Sequence, residues 1–497
     1  MSKVSTDSFV HELALQTDPR DEKELDIRLE ASRHLYNGCL SESLRKIVLI
    51  RQSNVWKKAR RLAKSKENTT QRRELFKQAK QSYSYSEYEL HSFVATLRKS
   101  CWLANHIDSH TAQKIATKAF KAADEYLHGK RGRPRFKGYQ RLRSIEGKSN
   151  ATGIRWKEGF VVWNIKGGKF LKLSPRFDLK DRYGVEKNAL GSRVKHCRLV
   201  RKIIKSKCRW YVQLVLEGKA LLKKKVVDGI VGLDIGPSTI AVVSRNEAFL
   251  QPFCQELEEK KSKVCKLQKK ISRSLLLNNP QNYEENGSLK KGAKRWRRSQ
   301  RYQSLRQRVS EEQRKLAETR RKLHGKMANR VVGLGKNIRL EKLLYKSFQR
   351  CFGKSVGLRA PGMFVSMLRR KAESAGGVVE EFSTYQTCLS QVCHCGLRKK
   401  KELSERWHQC GCGVRSQRDL YSAYLALHVK NNSLDTNQAK EAWTAAEPLL
   451  ERAVSRLKQL TSGKTLFSSF GLGQRQSQSH AKEGSLPFEA MDAVSAS

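Results

Sequence analysis

Residues 226–236 read VVDGIVGLDIG, and residues 238–244 read STIAVVS. Each is an apolar run of strand length, and Gly236-Pro237 separates them. Together they predict two adjacent strands joined by a turn. Asp234 lies inside the first strand. A carboxylate in an apolar strand is costly unless something neutralises it.

Two further acids share this kind of setting. Glu341 ends a short predicted strand, NIRLE at 337–341, and Asp419 opens a predicted helix running from about 418 to 429. Divalent cations neutralise such groups. Mg²⁺ takes one or two carboxylates together with water and phosphate oxygens. A pair of such ions supports phosphodiester cleavage. Taken singly, each acid has an ordinary explanation: a backbone hydrogen bond for Asp234, an ion pair for Glu341, a helix-start acid for Asp419. Strand, strand and helix in this order match the order of a ribonuclease-H-like fold.

Between the second strand and Glu341 the period becomes helical. Leu257, Val264, Leu267, Ile271 and Leu275 mark one helix; Tyr302, Leu305, Val309, Leu316 and Leu323 mark a second with a coiled-coil-like repeat. Turn chemistry separates them (NNPQNYEENGS), so residues 255–327 predict an antiparallel hairpin with a basic outer face. A helix over 362–375 and a strand over 378–382 follow.

The chain has twelve cysteines. Five fall between Cys388 and Cys412, among them Cys393-His394-Cys395-Gly396 and Cys410-Gly411-Cys412-Gly413. Four thiolates in two close pairs suit a tetrahedral structural Zn²⁺. Glycine after each pair lets the chain turn. A usual ribbon has two residues between the cysteines of a pair, and here there is one, so Cys388, His394 and His408 stand as substitute ligands. The remaining cysteines are scattered, which is no disulfide framework.

Upstream, residues 126–220 change to a period of two and read as a β-barrel-like domain: IRWKEGFVVW as a hairpin turning near Gly159, then FLKLS, RLVRKII and WYVQLVLEG. It opens with KRGRPRFKGYQRLR, in which Lys130, Arg131, Arg133, Arg135 and Lys137 alternate with Phe136 and Tyr139. Cations beside flat rings suit phosphate contact next to base stacking. Residues 23–125 are helical and basic, with apolar stripes at Tyr36, Cys39, Leu40, Leu44, Ile47 and Val48, at Leu90, Phe93, Val94 and Leu97, and at Ala112, Ile115, Ala116, Ala119 and Phe120.

Over 497 residues the formal charge is +54, from 101 Lys+Arg and 47 Asp+Glu. Such a charge strains a compact chain by self-repulsion, and a bound polyanion relieves it. Nucleic acid fits better than a membrane surface, because the charge spreads over hundreds of residues and not along one amphipathic helix. No apolar run is long enough to span a bilayer, and the first 18 residues lack a signal-peptide core. An intracellular, cytoplasmic protein is expected. Residues 431–497 carry seven basic and seven acidic residues, so the excess charge lies before them. A helix over Leu449–Leu460 is expected there, then a Ser-, Gly- and Gln-rich disordered end.

Asp234 in GLDIG, Glu341 in RLEKL and Asp419 in QRDLYSAYLAL, with the cysteines just before the last acid, resemble the split RuvC nuclease of the TnpB proteins encoded by insertion sequences, which are related to compact type V CRISPR effectors. SHTAQKIATKAF at 109–120 and GRPRFKGY at 132–139 agree, and the resemblance spans about residues 30–430. It implies an α+β multidomain chain in a prokaryotic cytosol. Residues 1–22 would be disordered, 23–125 a helical recognition domain and 126–222 a β-barrel wedge domain. Residues 223–254, 331–384 and 418–430 would form an RNase H-like RuvC domain. That domain would be interrupted by a helical hairpin (255–330) and a zinc ribbon or target-loading insertion (385–417), with 431–497 mostly disordered. The implied activity is RNA-guided cleavage of double-stranded DNA beside a short adjacent motif. The partners are a guide RNA and target DNA, bound by a monomer or by a homodimer on one RNA. Asp234, Glu341 and Asp419 would hold two Mg²⁺ or Mn²⁺ ions, and Cys393, Cys395, Cys410 and Cys412 one Zn²⁺. The resemblance departs at Tyr421 and Leu425, where the family often has asparagine. The alternatives are a miniature CRISPR effector, or an RNA-guided DNA-binding protein with little or no cleavage.

The charge makes a first prediction. Prepared at low salt, the protein should carry RNA, with affinity falling steeply as salt rises because each phosphate contact releases counterions. Nucleic-acid content after purification across a salt series checks it; a soluble, folded, RNA-free preparation at low salt would count against it.

Overall fold

The computed structural model describes residues 6–165, 170–221, 226–292, 294–402, 404–460 and 470–471. They fall into two compact units, divided between Lys223 and Lys224. Among the described residues no helix is long and apolar enough to cross a membrane.

The first unit begins with a strand, β1 (Ser8–Gln16), followed by helices α1 (Pro19–Gln52), α2 (Asn54–Arg61), α3 (Thr69–Gln81), α4 (Glu87–Lys99) and α5 (Ser109–Leu127). Strands β2 (Ser144–Glu146), β3 (Ile154–Lys157), β4 (Phe160–Trp163) and β5 (Leu171–Arg176) come next, then α6 (Val185–Leu190), β6 (Val194–Ile204) and β7 (Lys207–Glu217). The seven strands pair in the order β2-β6-β7-β1-β5-β4-β3, and β3 lies back against β6, so the sheet curls toward a barrel. The expected disorder of residues 1–22 is corrected for the described residues 6–22. β1 is the middle strand, paired with β7 on one side and β5 on the other. Its Phe9, Leu13 and Leu15 face the core at every second position. Its partners lie some 160 to 200 residues onward, so the local sequence gives little sign of them.

α1 starts on a capping box between Asp18 and Asp21, with Pro19 in its first turn. One core runs without a break from α1, α4 and α5 into the sheet. Arg28 of α1 is fully buried in it. Its guanidinium bonds Glu24 at 2.8 Å and lies 4.5 Å from the Trp163 ring centre, while the Trp163 indole donates to Asp108 at 2.9 Å. The helical segment and the β segment therefore form one packed unit.

The second unit is built on strands β8 (Ile230–Ile235), β9 (Thr239–Ser244) and β10 (Ala248–Pro252), the helical hairpin α7 (Leu257–Asn278) and α8 (Gln300–Val332), and β11 (Asn337–Glu341). Helices α9 (Tyr345–Arg359) and α10 (Pro361–Ser374), strand β12 (Val379–Phe382) and a single turn, α11 (Thr384–Thr387), lead to the cysteine loop. That loop ends in a small hairpin, β13 (Trp407–Gln409) and β14 (Arg415–Gln417), which runs directly into α12 (Arg418–Ala426). The short ribbon β15 (Val429–Lys430) and β16 (Ser433–Leu434) precedes α13 (Thr436–Leu460). Five strands form the sheet β10-β9-β8-β11-β12; β10, β9 and β8 run antiparallel, while β8, β11 and β12 are parallel.

The sheet is covered on both sides, which is why β9 has no polar alternation. Ile240 and Val242 face a core with Met327, Val331, Phe364 and Leu368; Ala241 and Val243 face the core of α12 and α13. The expectation of a mostly disordered 431–497 is corrected over the described part. Ala439, Ala446, Leu450, Ala453, Val454 and Leu457 bury α13 in that second core. The segments 461–469 and 472–497 lie outside the described residues.

α12 sits unusually close to β8. A Cβ added at Gly232 would meet the Ala423 carbonyl oxygen at 2.0 Å. Gly232→Ala should therefore push α12 off the sheet and destabilise the unit by about 1–3 kcal/mol. Chemical denaturation followed by circular dichroism checks this, and an unchanged midpoint would show that the contact is not tight.

Candidate functional site

The strand periodicity of β8 and β11 decides where the three acids point. Val231, Leu233 and Ile235 of β8, and Ile338 and Leu340 of β11, face the core beneath α8 and α10. The alternate positions Gly232, Asp234, Arg339 and Glu341 therefore face α12. The parallel register pairs Arg339 with Gly232 and Leu340 with Leu233, so the next step sets Glu341 beside Asp234. Arg339 donates to the Leu427 carbonyl at the end of α12, at 2.6 Å. Asp419 stands in the first turn of α12, whose N-cap is Gln417; its side chain accepts from the Leu420 amide at 2.8 Å.

The electrostatics of the three carboxyls agree with this placement. The Asp234 carboxyl is pushed well above the usual carboxylate range, first by burial and then by the charges of Asp419 and Glu341. Glu341 is raised to about 7 by burial, against the Leu389 backbone amide, which donates to it. Asp419 is also raised by burial, and Arg418 and Arg406 oppose the rise. Arg418 Nε lies 3.8 Å from Asp419 Oδ1, and Thr239 Oγ1 lies 3.5 Å from Asp419 Oδ2. Three acids from a strand, a second strand and a helix thus share one electrostatic neighbourhood. Such a donor set suits hard divalent cations, since added positive charge relieves both the burial and the repulsion.

Cys393, Cys395, Cys410 and Cys412 bring their sulfurs within 4.8 Å of one another, the only group of three or more metal-ligating side chains that tight among the described residues. Cys393 and Cys412 are 3.5 Å apart, as are Cys395 and Cys410. A tetrahedral zinc–thiolate site needs sulfur separations of about 3.8 Å, so the set fits the ion. Each pair is closed by the same turn. Gly396 donates to the Cys393 carbonyl at 2.9 Å and Gly413 to the Cys410 carbonyl at 3.1 Å, with φ of 89° and 93°. Those left-handed glycines let one intervening residue suffice. The Cys410 thiol is lowered to about 7, chiefly by the Cys412 backbone amide. The substitute ligands fall outside the set: Cys388 accepts from Arg398 at 3.0 Å, and the His408 ring stacks on Tyr421 at 4.2 Å. The His394 ring also turns to Tyr421, 3.1 Å from its hydroxyl.

In the first unit, Lys130, Arg131, Arg133 and Arg135 are exposed, and so are Phe136 and Tyr139. The loop is nonetheless fixed. The Lys137 amide donates to Asn37 Oδ1 at 2.8 Å, and its carbonyl accepts from Arg33 and Asn37 of α1. A second basic feature escaped the sequence reading: an open cavity of about 640 Å³, lined by Lys64, Arg72, Arg73, Phe76, Lys77 and Tyr85 among others. Thr239, Arg339, Arg406 and Arg418 were also missed. Arg418 alone carried a sequence signal, its place beside Asp419.

A family model described as Cas12f1-like, TNB domain, matches residues 362–425, a segment that holds nearly all of α10 and α12, the cysteine loop and Asp419. No curated protein matches the chain. Among solved structures the chain is similar to that of a Cas12f1–sgRNA–target DNA complex, with 13% identity and a TM-score of 0.46 over 84% of this chain and 98% of that one. It is similar also to a CRISPR-Cas12f ternary complex, with 15% identity and a TM-score of 0.30 over 84% of this chain and 82% of that one.

Proposed function

We propose that this chain is an RNA-guided DNA endonuclease of the compact kind to which the TnpB and Cas12f proteins belong, cutting in a RuvC-type site. The supporting observation is the meeting of Asp234, Glu341 and Asp419 on the α12 side of the sheet, where each carboxyl is driven above its ordinary pKa. A structural role for buried acids would call for saturating donors. Here Asp234 faces two other acids, and its opposing cations, Arg418 and Arg406, rank below them. The Cas12f1-like segment supports the class of protein, and +54 supports a nucleic-acid partner.

In this reading Asp234, Glu341 and Asp419 would hold Mg²⁺ or Mn²⁺, and Cys393, Cys395, Cys410 and Cys412 one structural Zn²⁺. The divalent ions supply Lewis-acid charge at the scissile phosphate and acidify the attacking water. The chain's own part is placement. Gly232 lets α12 approach, Arg339 holds its far end, and Thr239 and Arg418 orient the Asp419 carboxylate. Guide pairing would read the target sequence, with the protein gripping the backbone through Lys and Arg. The exposed loop around Phe136 and Tyr139 is a candidate for part of that grip. An insertion-sequence origin is proposed from the motif resemblance.

Two outcomes test this reading. With a matched guide, Asp234→Ala should abolish Mg²⁺-dependent cleavage while target binding persists, measured on one preparation. Parent-like cutting would show that the site is misassigned; a parent that binds target but cuts with no divalent metal would favour the binding-only alternative. The second outcome concerns pH. Glu341 is raised from 4.5 to about 7, so the metal-free native state holds its proton more tightly than the unfolded chain does. Its stabilising contribution is full below about pH 4.5 and is lost as pH rises through about 7, about 3 kcal/mol in all. Asp234 and Asp419 shift in the same direction. Denaturant midpoints in chelator should fall over that window, Glu341→Gln should flatten the fall, and Mn²⁺ should restore stability at pH 8. A flat profile for the parent would contradict the burial of Glu341.

A further inference from the structure

Tyr421 lies on α12 two residues after Asp419 and is buried. Its hydroxyl accepts the His394 backbone N–H at 2.9 Å and stands 3.3 Å from Cys393 Sγ and 3.1 Å from His394 Nδ1. Its ring is held on two sides. His408 stacks on it at 4.2 Å, and Trp443 of α13 meets it edge-on at 5.4 Å. One side chain of α12 therefore touches the first cysteine turn, the β13–β14 hairpin and α13.

We propose that Tyr421 is a positioning residue that couples metal loading of the four thiols to the placement of Asp419. A phenol has one proton to give and two acceptors within reach, Cys393 Sγ and, in the tautomer protonated at Nε2, His394 Nδ1. With Cys393 held as a thiolate, its sulfur is the stronger acceptor, because a charged acceptor makes the stronger bond. The hydroxyl then donates to sulfur while still accepting from His394. The start of the first turn, Cys393 and His394, is then locked to α12. Asp419 and Tyr421 share one helical turn, so holding the Tyr421 ring and hydroxyl holds the backbone that carries Asp419. With the thiols unloaded, the cysteine turn is free to shift, and the Tyr421 hydroxyl and the first turn of α12 move with it. The consequence for cutting rests on the endonuclease reading; the consequence for zinc does not.

The test uses the full chain with its guide RNA. Tyr421→Phe keeps the ring and removes the hydroxyl, and Trp443→Phe perturbs the same packing without touching the hydroxyl. Zinc affinity is read by competition with a chromophoric chelator, and α12 order by hydrogen exchange at the 420–425 amides with and without zinc. Tyr421→Phe should weaken zinc about 10–100-fold, the usual effect of losing a hydrogen-bond partner behind a metal ligand. Its α12 amides should exchange fast even with zinc present, whereas those of the parent should slow on zinc addition. Cleavage should fall in step, with target binding kept. The proposal is overturned if Tyr421→Phe holds zinc as the parent does, if Trp443→Phe weakens zinc equally, or if exchange in the parent ignores zinc. A parent that never cuts would sink the endonuclease reading alone, since the zinc and exchange results decide this one without it.

Discussion

Helix α12 rests on strand β8 with no side chain between them at Gly232, and the geometry of the second unit depends on that contact. A methyl there would collide with the Ala423 carbonyl, so the helix would ride away from the sheet. Its close seating brings Asp419 over the same face of the sheet that carries Asp234 and Glu341. The parallel β8–β11 register does the rest, because one step past Leu233 and Leu340 the two strand acids stand side by side. Two periodicities and one missing Cβ thus assemble three carboxyls whose codons lie far apart.

The same contact sets a cost. On this buried face Asp419 and Glu341 both press on Asp234, and all three acids lose hydration, which the fold tolerates only with compensation. Part of it comes from Arg406 and Arg418, which draw Asp419 and Asp234 back toward ionisation. The remainder is left to protons or to added cations. A chain with 101 basic residues has no shortage of positive charge, yet only these two arginines rank among the main influences on both acids. The arrangement keeps acidic density local inside a strongly basic protein.

Much of this was legible in the sequence where the signal was local. GLDIG and STIAVVS read as neighbouring strands because a two-sided burial leaves an unbroken apolar run. The two Cys-x-Cys-Gly units read as a pair because each turn closes on itself. What failed was non-local or disguised. β1 pairs with strands distant in sequence, so SFVHELALQ looked like an untethered terminus. α13 was expected only from Leu449 because Pro448 stands inside it, and a proline normally ends a helix. Its buried face is also partly alanine, which gives a weak apolar stripe. Thr239 and Arg339 are ordinary residues in strands, and only the packed helix gives them work at the site.

The thiol cluster and the acids are better regarded as one construction than as a structural module beside a chemical one. From Cys412 the chain passes through β14 alone before Asp419. Arg418 donates to the Glu402 and Glu405 carbonyls at 3.0 and 2.7 Å, and its backbone N–H donates to the Arg406 carbonyl at 2.8 Å. Both arginines that oppose the rise in the acids' pKa are therefore held by the cysteine loop. If that loop loses its shape, the acids lose their counter-charges and Asp419 its anchor together. Under the proposed coupling, closing the thiols would bear on how readily the acids ionise as well as on where Asp419 sits, an electrostatic effect beside the geometric one.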